Sequence, residues 1–418
     1  MSAEPIAIAN DPAFPATRRL IEPGTRLFTL VLSVAMGTTA LGIDTLLPAF
    51  DDIRSEFGLA PDATDVAALV TAFMVGFGVG QFPWGLLADR FGRRQVLWGG
   101  LVLYAIGAVA AALAPSLGWM IVARFVWGLG GAGPRVAVTA MVRDAFKGAD
   151  MARQMSSIMA IFLMVPMVAP SLGAGLMHLG PWQLTIWVCV VVAALVAIAS
   201  IPLPSTMPEG ARQSLSLGDI VRAWREVVVT PGTLGFVVAP VAIQASFMSY
   251  IASSENIFDE TFGLKSWFVV LFGAVAVVLA IGNVGNARLV GRLGLRRLLS
   301  VVPLAQVGVA AVLCVVALGT DGRPPIWLFM PLLVLTLAAQ QITTVNAGAA
   351  AMIPLGHVAG SAAAVVGATP MIVGALAGAW LDSRFDGTIT PLALAFVVTG
   401  VISALATHHA LRATRPTA

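Results

Sequence analysis

Asp44 is the acidic residue in the otherwise uncharged stretch from Leu27 to Phe50. We place it inside the predicted first helix, about three-quarters of the way along. An ionised carboxylate in an apolar segment is costly unless it meets a cation or takes up a proton. Asp44 is therefore a candidate for reversible proton binding. The alternative interpretation puts it at the end of the helix near Pro48, at the interface with water.

Two arginines interrupt another apolar stretch, 117–140. Arg124 lies well inside that stretch, where an arginine needs a carboxylate or carbonyl oxygen as partner. Arg135 follows about three helical turns later, so the two arginines share a helix face. Arg135 either extends to the aqueous interface or lines a cavity, and the sequence favours neither alternative.

Gly128, Gly130 and Gly133 lie between these arginines with GxGxxG spacing. A dinucleotide fingerprint needs a preceding strand within a soluble βαβ unit, and the surrounding sequence predicts neither. We therefore interpret the glycines as small residues that allow two helices to approach closely. The sequence also has no GxxxxGK[ST] motif, so nucleotide-driven chemistry is not expected.

The densest charge is in the turn GLLADRFGRR, and a weaker copy, RLVGRLGLRR, spans 288–297. The copies share arginines and a glycine, but Asp89 is replaced by Gly291 in the second, so the chain has the pattern of a duplication. The glycines provide close approach and the turn, while the arginines can pair with carboxylates or lipid phosphates. Alternatively, the arginines serve only topology. The candidate residues of the first copy are Gly85, Asp89, Arg90, Gly92, Arg93 and Arg94.

Composition places these residues in a membrane protein. Of the 418 residues, 58% are hydrophobic and 11% are charged, against roughly 25% charged in a soluble domain. Twelve apolar runs approach or exceed the roughly 20 residues that cross a bilayer. Those of the first half lie near 27–50, 64–88, 95–113, 117–140, 152–178 and 182–202. Those of the second half lie near 233–254, 264–288, 298–319, 325–352, 356–381 and 390–410.

The polar segment 203–232 divides these runs six and six. Most basic residues lie in the segments on the same side of the membrane as the N-terminus. Because basic residues are enriched on the cytoplasmic side, both termini are predicted to be cytoplasmic. The net charge of +3 gives no indication of a nucleic-acid partner. The basic residues left for the outer loops are Arg54, Lys265, Arg323 and Arg384. The predicted division is a cytoplasmic tail 1–26, a bundle 27–202, a cytoplasmic linker 203–232, a bundle 233–410 and a tail 411–418.

Several motifs together resemble one family. GLLADRFGRR (85–94) resembles the signature loop of the major facilitator superfamily. RFVWGLGGAGP (124–134) and VPMVAPSLGAG (165–175) resemble the helix-four arginine motif and the antiporter motif of its proton-coupled drug exporters. GIDTLLPAF (42–50) and NAGAAAMIPLGHVAGSAAAVVG (346–367) resemble the bicyclomycin/chloramphenicol-resistance type. The resemblance implies an all-α membrane protein, with twelve transmembrane helices in two pseudo-symmetric six-helix bundles.

The resemblance also assigns roles to the candidate residues. The spans that contain Asp44 and Arg124 are neighbours in that fold, so the resemblance implies a proton-coupling pair, with a static structural bridge as the alternative. The turn 85–94 would be a conformational latch that holds the inner side closed. The antiporter motif, which would seal the two bundles or merely kink one span, comprises Pro166, Pro170, Gly173 and Gly175.

The function implied is a proton-coupled antiporter that exports small amphipathic drugs by alternating access across a bacterial-type inner membrane. The resemblance implies no enzymatic activity, no metal, no cofactor beyond the proton gradient, no nucleic-acid partner and a monomeric protein. Three alternatives remain. They are a dedicated exporter of one metabolite (a siderophore, sugar or amino acid derivative), a facilitator or importer on the same scaffold, and a membrane sensor that transports nothing.

Candidate substrate contacts are the pliable apolar, aromatic and amide side chains of the spans, since such groups adapt to varied ligands. Each of them could instead serve helix packing. Met36 stands eight residues before Asp44, where some multidrug relatives have a second acid. We therefore expect one membrane acid, one exchangeable proton and neutral or zwitterionic substrates. The candidate contacts are Met36, Met74, Phe77, Trp127, Met164, Gln244, Tyr250, Gln341 and Asn346.

Overall fold

A computed structural model describes residues 21–60, 64–146, 148–204 and 217–414. Helices joined by turns make up these ranges, which contain no β-strand, so the prediction of an all-α protein is confirmed. The long helices coincide with the apolar runs. In the first half they are α1 (Arg26–Asp44), α3 (Ala68–Phe91), α4 (Arg93–Ala112), α5 (Leu117–Ala145), α6 (Gly148–Met177) and α7 (Leu184–Ala199).

Two shorter helices lie between the long ones. Helix α2 (Phe50–Glu56) follows α1 in the first half, and α8 (Leu217–Val229) lies in the predicted linker. The long helices of the second half are α9 (Thr233–Asn256), α10 (Phe268–Leu293), α11 (Leu295–Gly319), α12 (Ile326–Met352), α13 (Ala359–Asp382) and α14 (Thr390–Ala413).

Most of these helices suit a bilayer by length and composition. Among the described residues, ten helices are long and apolar enough to cross a membrane. Helix α7 is apolar but shorter. Helix α5 is long enough, but Arg124 and its many glycines lower its mean hydropathy. Helix α5 is therefore less apolar than the other long helices.

Helix α1 ends earlier than predicted. It stops at Asp44 and is followed by a 3-10 turn, Leu47–Ala49. Pro48 has no N–H to donate to the carbonyl of Asp44, so this one α-helical hydrogen bond is lost where α1 ends. The placement of Asp44 three-quarters of the way along a helix is therefore wrong. The alternative is also only half right, because this helix-end residue is buried, with 5% of its surface exposed.

The described helices group into two compact units. Unit 1 comprises the described residues of Met1–Ala49 and Gly76–Ser216, and unit 2 those of Phe50–Val75 and Leu217–Ala418. The short segment Phe50–Val75, which precedes most of unit 1 in sequence, therefore packs with the second half of the chain.

Within unit 1, α4 and α5 pack almost backbone to backbone. A Cβ on Gly130 would overlap the backbone of Tyr104, and a Cβ on Gly133 would lie 2.6 Å from the Cα of Gly100. Larger residues at these positions would push the helices apart. The interpretation of Gly130 and Gly133 as helix-packing residues is confirmed.

Unit 2 contains a core of neutral polar side chains. The hydroxyl of Ser246 on α9 accepts hydrogen bonds from Gln340 on α12, at 3.0 Å, and from Thr399 on α14, at 2.9 Å. Asn346 on α12 donates to Asn286 on α10 at 2.8 Å. These bonds join four helices, because a polar group in an apolar bundle is stable only when another group pairs with it.

Candidate functional site

Asp44 and Arg124 come together in unit 1. Arg124 is fully buried on α5, and its Nη1 donates a 2.6 Å hydrogen bond to the carbonyl oxygen of Gly42 in the last turn of α1. The guanidinium and the Asp44 carboxylate attract each other electrostatically inside this packed region. A buried charge of either sign is costly alone, so each makes the other tolerable. Arg124 therefore reaches the helical turn that ends at Asp44, and its direct contact there is the carbonyl of Gly42.

Aromatic side chains enclose the Arg124 guanidinium. Its Cζ lies 4.8 Å from the ring centroid of Trp127, which is itself fully buried. Tyr104 meets the same ring edge-on at 5.4 Å, and its hydroxyl donates to the carbonyl of Thr38 at 2.7 Å. A cation over an aromatic face is stabilised by the ring quadrupole, more so without water. Trp127, a predicted substrate contact, thus packs on Arg124.

The antiporter motif meets α1 immediately after Asp44. A Cβ on Gly173 of α6 would overlap the carbonyl oxygen of Thr45, so α6 and the end of α1 touch at the backbone. Gly175 is different, because nothing in the described chain lies within 4 Å of a Cβ there. Pro166 and Pro170 both lie inside α6, which continues as one helix through them. One glycine of the motif therefore makes the close contact.

The charged turn is built around Arg93. Its side chain is largely buried and pairs with Asp89 at 2.9 Å and with Asp144, at the end of α5, at 2.8 Å. Gly92, with a φ of 101°, forms the turn between α3 and α4. Asp144 was not identified from sequence, although an acid at the end of a span that contains two arginines is a usable signal. Asp89 finds its basic partner within the turn itself.

The remaining residues of the turn make weaker contacts. Arg90 lies over the ring of Phe91, with 5.3 Å between its Cζ and the ring centroid. The expectation of a close approach at Gly85 is wrong, because no atom of the described chain lies within 4 Å of a Cβ there. Arg94 donates to the carbonyls of Ile201 and Leu203, both at 3.3 Å.

The second copy of the turn keeps part of this geometry. Gly294 also has a positive φ, of 77°, and Arg296 donates to the carbonyl of Leu411 at 2.7 Å. Arg94 and Arg296, each two residues after the glycine of its turn, thus bond the C-terminal part of the sixth long helix of their half, or the residues just beyond it. Asp89 is absent from the second copy because Gly291 replaces it. The ion pair is therefore specific to the first turn.

The candidate substrate contacts of unit 1 are mostly buried in packing. Met36 and Phe77 are each 1% exposed, whereas Met164 on α6 is 55% exposed. The Cζ of Arg135 lies 5.5 Å from the ring centroid of Phe77, and Arg135 is half-buried. Arg135 therefore packs on an aromatic side chain.

Three of the five candidates of unit 2 have partners in the described structure, namely Gln244, Tyr250 and Asn346. Met74 and Gln244 are each 8% exposed, and the amide of Gln244 lies 3.9 Å from the sulfur of Met371. Tyr250 stacks on Phe272 with centroids 6.2 Å apart. Gln341 is half-buried. Asn346 bridges α12 and α10 through its hydrogen bond to Asn286. This bond fits the alternative interpretation of Asn346, which is helix packing.

Three charged side chains of unit 2 are buried, which the sequence did not predict. Arg54, Glu255 and Asp382 are respectively 3%, 5% and 4% exposed, and both acids lie within candidate membrane spans. The expectation of a single membrane acid is therefore wrong. Asp382 ends an apolar run and Arg54 falls in a predicted loop, so counting residues along the sequence placed both outside the bundle.

Residues 32–378 match the family model described as Major Facilitator Superfamily. The chain belongs to the Major Facilitator Superfamily. It is 27% identical over 387 residues to the uncharacterized MFS-type transporter YdgK of Bacillus subtilis (strain 168), covering 90% of this chain and 94% of that protein. It is 26% identical to a bicyclomycin resistance protein homolog of Haemophilus influenzae, covering 92% and 96%. It is 28% identical over 306 residues to the multidrug transporter MdfA of Edwardsiella piscicida, covering 72% and 73%.

Solved structures show the same superfamily fold. A D-xylose–proton symporter superposes with a TM-score of 0.72 at 14% identity, covering 94% of this chain and 98% of that one. The xylose transporter XylE from E. coli, in a partially occluded inward-open conformation, gives 0.71 at 13% identity, with 94% and 100% covered. The predicted fold and family are thereby confirmed. The protein is a multi-pass membrane transporter for small substrates and not an enzyme.

Proposed function

We propose that this transporter is a proton-coupled antiporter that exports small amphipathic drugs by alternating access. The similarity to proteins named for bicyclomycin resistance and multidrug transport supports this substrate class. We place the protein in a bacterial-type inner membrane, as a monomer with both termini in the cytoplasm. The proton gradient would supply the driving force without a cofactor.

The observation that supports coupling is the burial of Asp44 beside Arg124. The carboxylate ends α1, and the guanidinium is anchored on Gly42 of the same helical turn. When Asp44 is ionised, its attraction to Arg124 offsets the cost of burying both charges. A proton on Asp44 removes that attraction and leaves Arg124 to the carbonyl and the Trp127 ring. Proton binding therefore changes the force that holds the end of α1 to α5.

The proposed cycle follows from this change. A proton from the outer side binds Asp44, weakens its attraction to Arg124 and displaces the substrate. The transporter then returns to its inward-facing state and loses the proton to the cytoplasm. A ligand can shift such an equilibrium only by binding one state better than the other, and here proton and substrate favour different states.

Two further elements would transmit the change. Gly173 holds α6 against Thr45, so a movement at the end of α1 would reach the antiporter motif directly. In the charged turn, Arg93 joins Asp89 to Asp144, and this group would act as the latch of the inner side. Both elements lie in unit 1, which therefore contains the coupling residues in this account.

Inside-out membrane vesicles test the proposal. A proton gradient is imposed, drugs such as bicyclomycin and chloramphenicol are added singly, and a pH-sensitive dye reports whether the gradient collapses. We expect a drug to collapse the gradient with wild-type protein but not with Asp44→Asn. The exposed loop variant Asp321→Asn is the matched control.

The same experiment separates the alternatives. Collapse by a single metabolite and by no drug would indicate a dedicated metabolite exporter. Substrate movement without any change in the gradient would indicate a facilitator. Unchanged drug-driven collapse in Asp44→Asn would refute the assignment of Asp44 as the proton site.

A further inference from the structure

A second buried ionic cluster lies in unit 2, around Arg54 of α2. Its Nη2 donates to the side-chain oxygen of Asn256 at 2.6 Å, and its Nη1 donates to the carboxylate of Glu255 at 3.2 Å. Both partners belong to the C-terminal end of α9. Arg54 and Glu255 are separated by about two hundred residues in sequence and are almost completely buried. This grouping, with Ser253 and Asp382, is called the Arg54 cluster below.

Asp382, the last residue of α13, is the second acid of the cluster. The hydroxyl of Ser253 on α9 donates a hydrogen bond to its Oδ1. Arg54 contacts Glu255 directly and acts on Asp382 through the longer-range attraction of its charge. Three elements, α2, α9 and α13, therefore direct charged or polar groups into one buried region.

The other charged groups around the cluster are more exposed and pair with one another. Arg54 Nη1 also contacts Asp51 at 2.6 Å, but Asp51 pairs with Lys265, whose side chain is 57% exposed. Lys265 in turn meets Asp259 at 3.3 Å. The remaining charges that the structure describes on the neighbouring elements are exposed, namely Asp52, Glu56, Asp65, Glu260, Arg384 and Asp386.

The buried charges of the cluster do not balance. Within the part of the chain that the structure describes, the cluster buries two carboxylates, Glu255 and Asp382, but one guanidinium, that of Arg54. Asp51 is part-exposed and has Lys265 to neutralise it. One guanidinium can compensate one buried carboxylate, and an uncompensated second one would cost several kcal/mol. A carboxyl group removes that cost by taking up a proton.

We propose that the two buried acids, Glu255 and Asp382, together carry one bound proton, so that the Arg54 cluster is a second proton-binding site of this transporter. Glu255 contacts Arg54 directly and is its ionised partner, so the proton resides on Asp382, which is hydrogen-bonded to Ser253 instead. Loss of the proton leaves two carboxylates that attract Arg54, which tightens the hold of α2 on α9 and α13. The use of this proton in transport rests on the proposed antiport, whereas its binding does not.

Infrared spectroscopy of the purified full-length protein tests the proposal without any substrate. The carboxylic-acid C=O band is measured in pH-difference spectra, because only protonated carboxyl groups contribute to it. We expect Asp382→Asn to lose one carboxyl's share of the band, because Glu255 then pairs with Arg54 and stays ionised. Glu255→Gln should lose the same share, because Arg54 then compensates the charge of Asp382, which stays ionised.

Removing the cation should have the opposite effect. In Arg54→Gln both acids lack their partner, so the band should gain about one carboxyl's share. Asp321→Asn, an Asp-to-Asn change on an exposed loop, should leave it unchanged. The proposal is overturned if the band is unaltered in both Asp382→Asn and Glu255→Gln, or if Arg54→Gln does not raise it.

The outcome is independent of the antiport assay. If the band changes as expected but no drug collapses the gradient in vesicles, the second proton site stands and drug export is refuted. A drug-driven collapse together with an unaltered band in both acid variants would retain export and remove the second site.

Discussion

Arg124 donates a 2.6 Å hydrogen bond to the carbonyl oxygen of Gly42, two residues before the buried carboxyl of Asp44. The same guanidinium thus holds the backbone at the end of α1 and provides the positive charge that Asp44 meets. Because α1 stops at Asp44, the Gly42 carbonyl is in the last turn of the helix, where carbonyl oxygens lack the N–H donors of a following turn. A change in the charge of Asp44 therefore acts at the end of α1, which the Arg124 side chain holds.

Replacing Arg124 by lysine should weaken this hold while keeping the charge. The ammonium lacks the planar fork that reaches Gly42 and stacks on Trp127. We expect Arg124→Lys to lower the free energy of unfolding by about 1.5–3 kcal/mol, the range for a buried hydrogen bond to a charged group. SDS-induced unfolding in mixed micelles measures it. Arg153→Lys, on a side chain 78% exposed, is the control, and equal stability of both variants would contradict the anchoring role.

The two glycines of the antiporter motif should differ sharply. Gly173→Ala would drive a methyl group into the carbonyl of Thr45, whereas Gly175→Ala meets open space. Overpacking of this kind costs about 1–3 kcal/mol, and it should also reduce drug transport because it displaces the end of α1. Transport and unfolding are measured for both variants. A Gly173→Ala protein as active and stable as Gly175→Ala would show that this contact is unimportant.

Loss of Asp144 should release Arg93 from α5. In Asp144→Asn, the largely buried Arg93 keeps Asp89 as its ionic partner, and removing one partner of a buried pair costs about 3–5 kcal/mol at most. The double variant with Asp89→Asn should be non-additive, because both acids pair with one guanidinium. A thermodynamic cycle tests this, with Asp150→Asn, on a side chain 52% exposed, as control. Strict additivity would contradict a shared ionic group.

Gly92 and Gly294 should both resist substitution. Each precedes a long helix with a positive φ, of 101° and 77° respectively, a conformation that costs side-chain-bearing residues about 1–3 kcal/mol. Gly92→Ala and Gly294→Ala should therefore unfold at lower SDS fractions than wild type. Gly282→Ala, inside α10 with open space around its Cβ, is the helical control. Unchanged unfolding of both turn variants would contradict the requirement for glycine.

The helices were predictable because their signal is local. An apolar run long enough to cross a bilayer is visible in the sequence itself, and the runs coincide with the long helices of both halves. Asp44 and Arg124 were equally visible, because each interrupts such a run. The end of α1 was less visible, because Pro48 cannot donate to the carbonyl of Asp44 but Pro166 and Pro170 lie inside α6 without ending it. The length of the apolar run concealed this break.

The missed contacts depend on the tertiary fold. Arg54 and Glu255 meet only because α2 packs with unit 2, and no periodicity in either segment indicates it. Asp382 lies at the last residue of its span, where a hydropathy window cannot tell a buried acid from a solvated one. The Gly42 carbonyl is invisible for another reason, because every residue has one and only the docking of α5 selects it.

Drug-induced proton release from the purified protein is the most direct test of coupling through Asp44. The protein is kept in weakly buffered detergent, a drug that collapses the gradient in vesicles is added, and released protons are counted by a pH indicator. Wild-type protein should release protons on binding the drug. Asp44→Asn should bind the drug and release fewer protons. Equal release from Asp44→Asn and wild type would contradict the account.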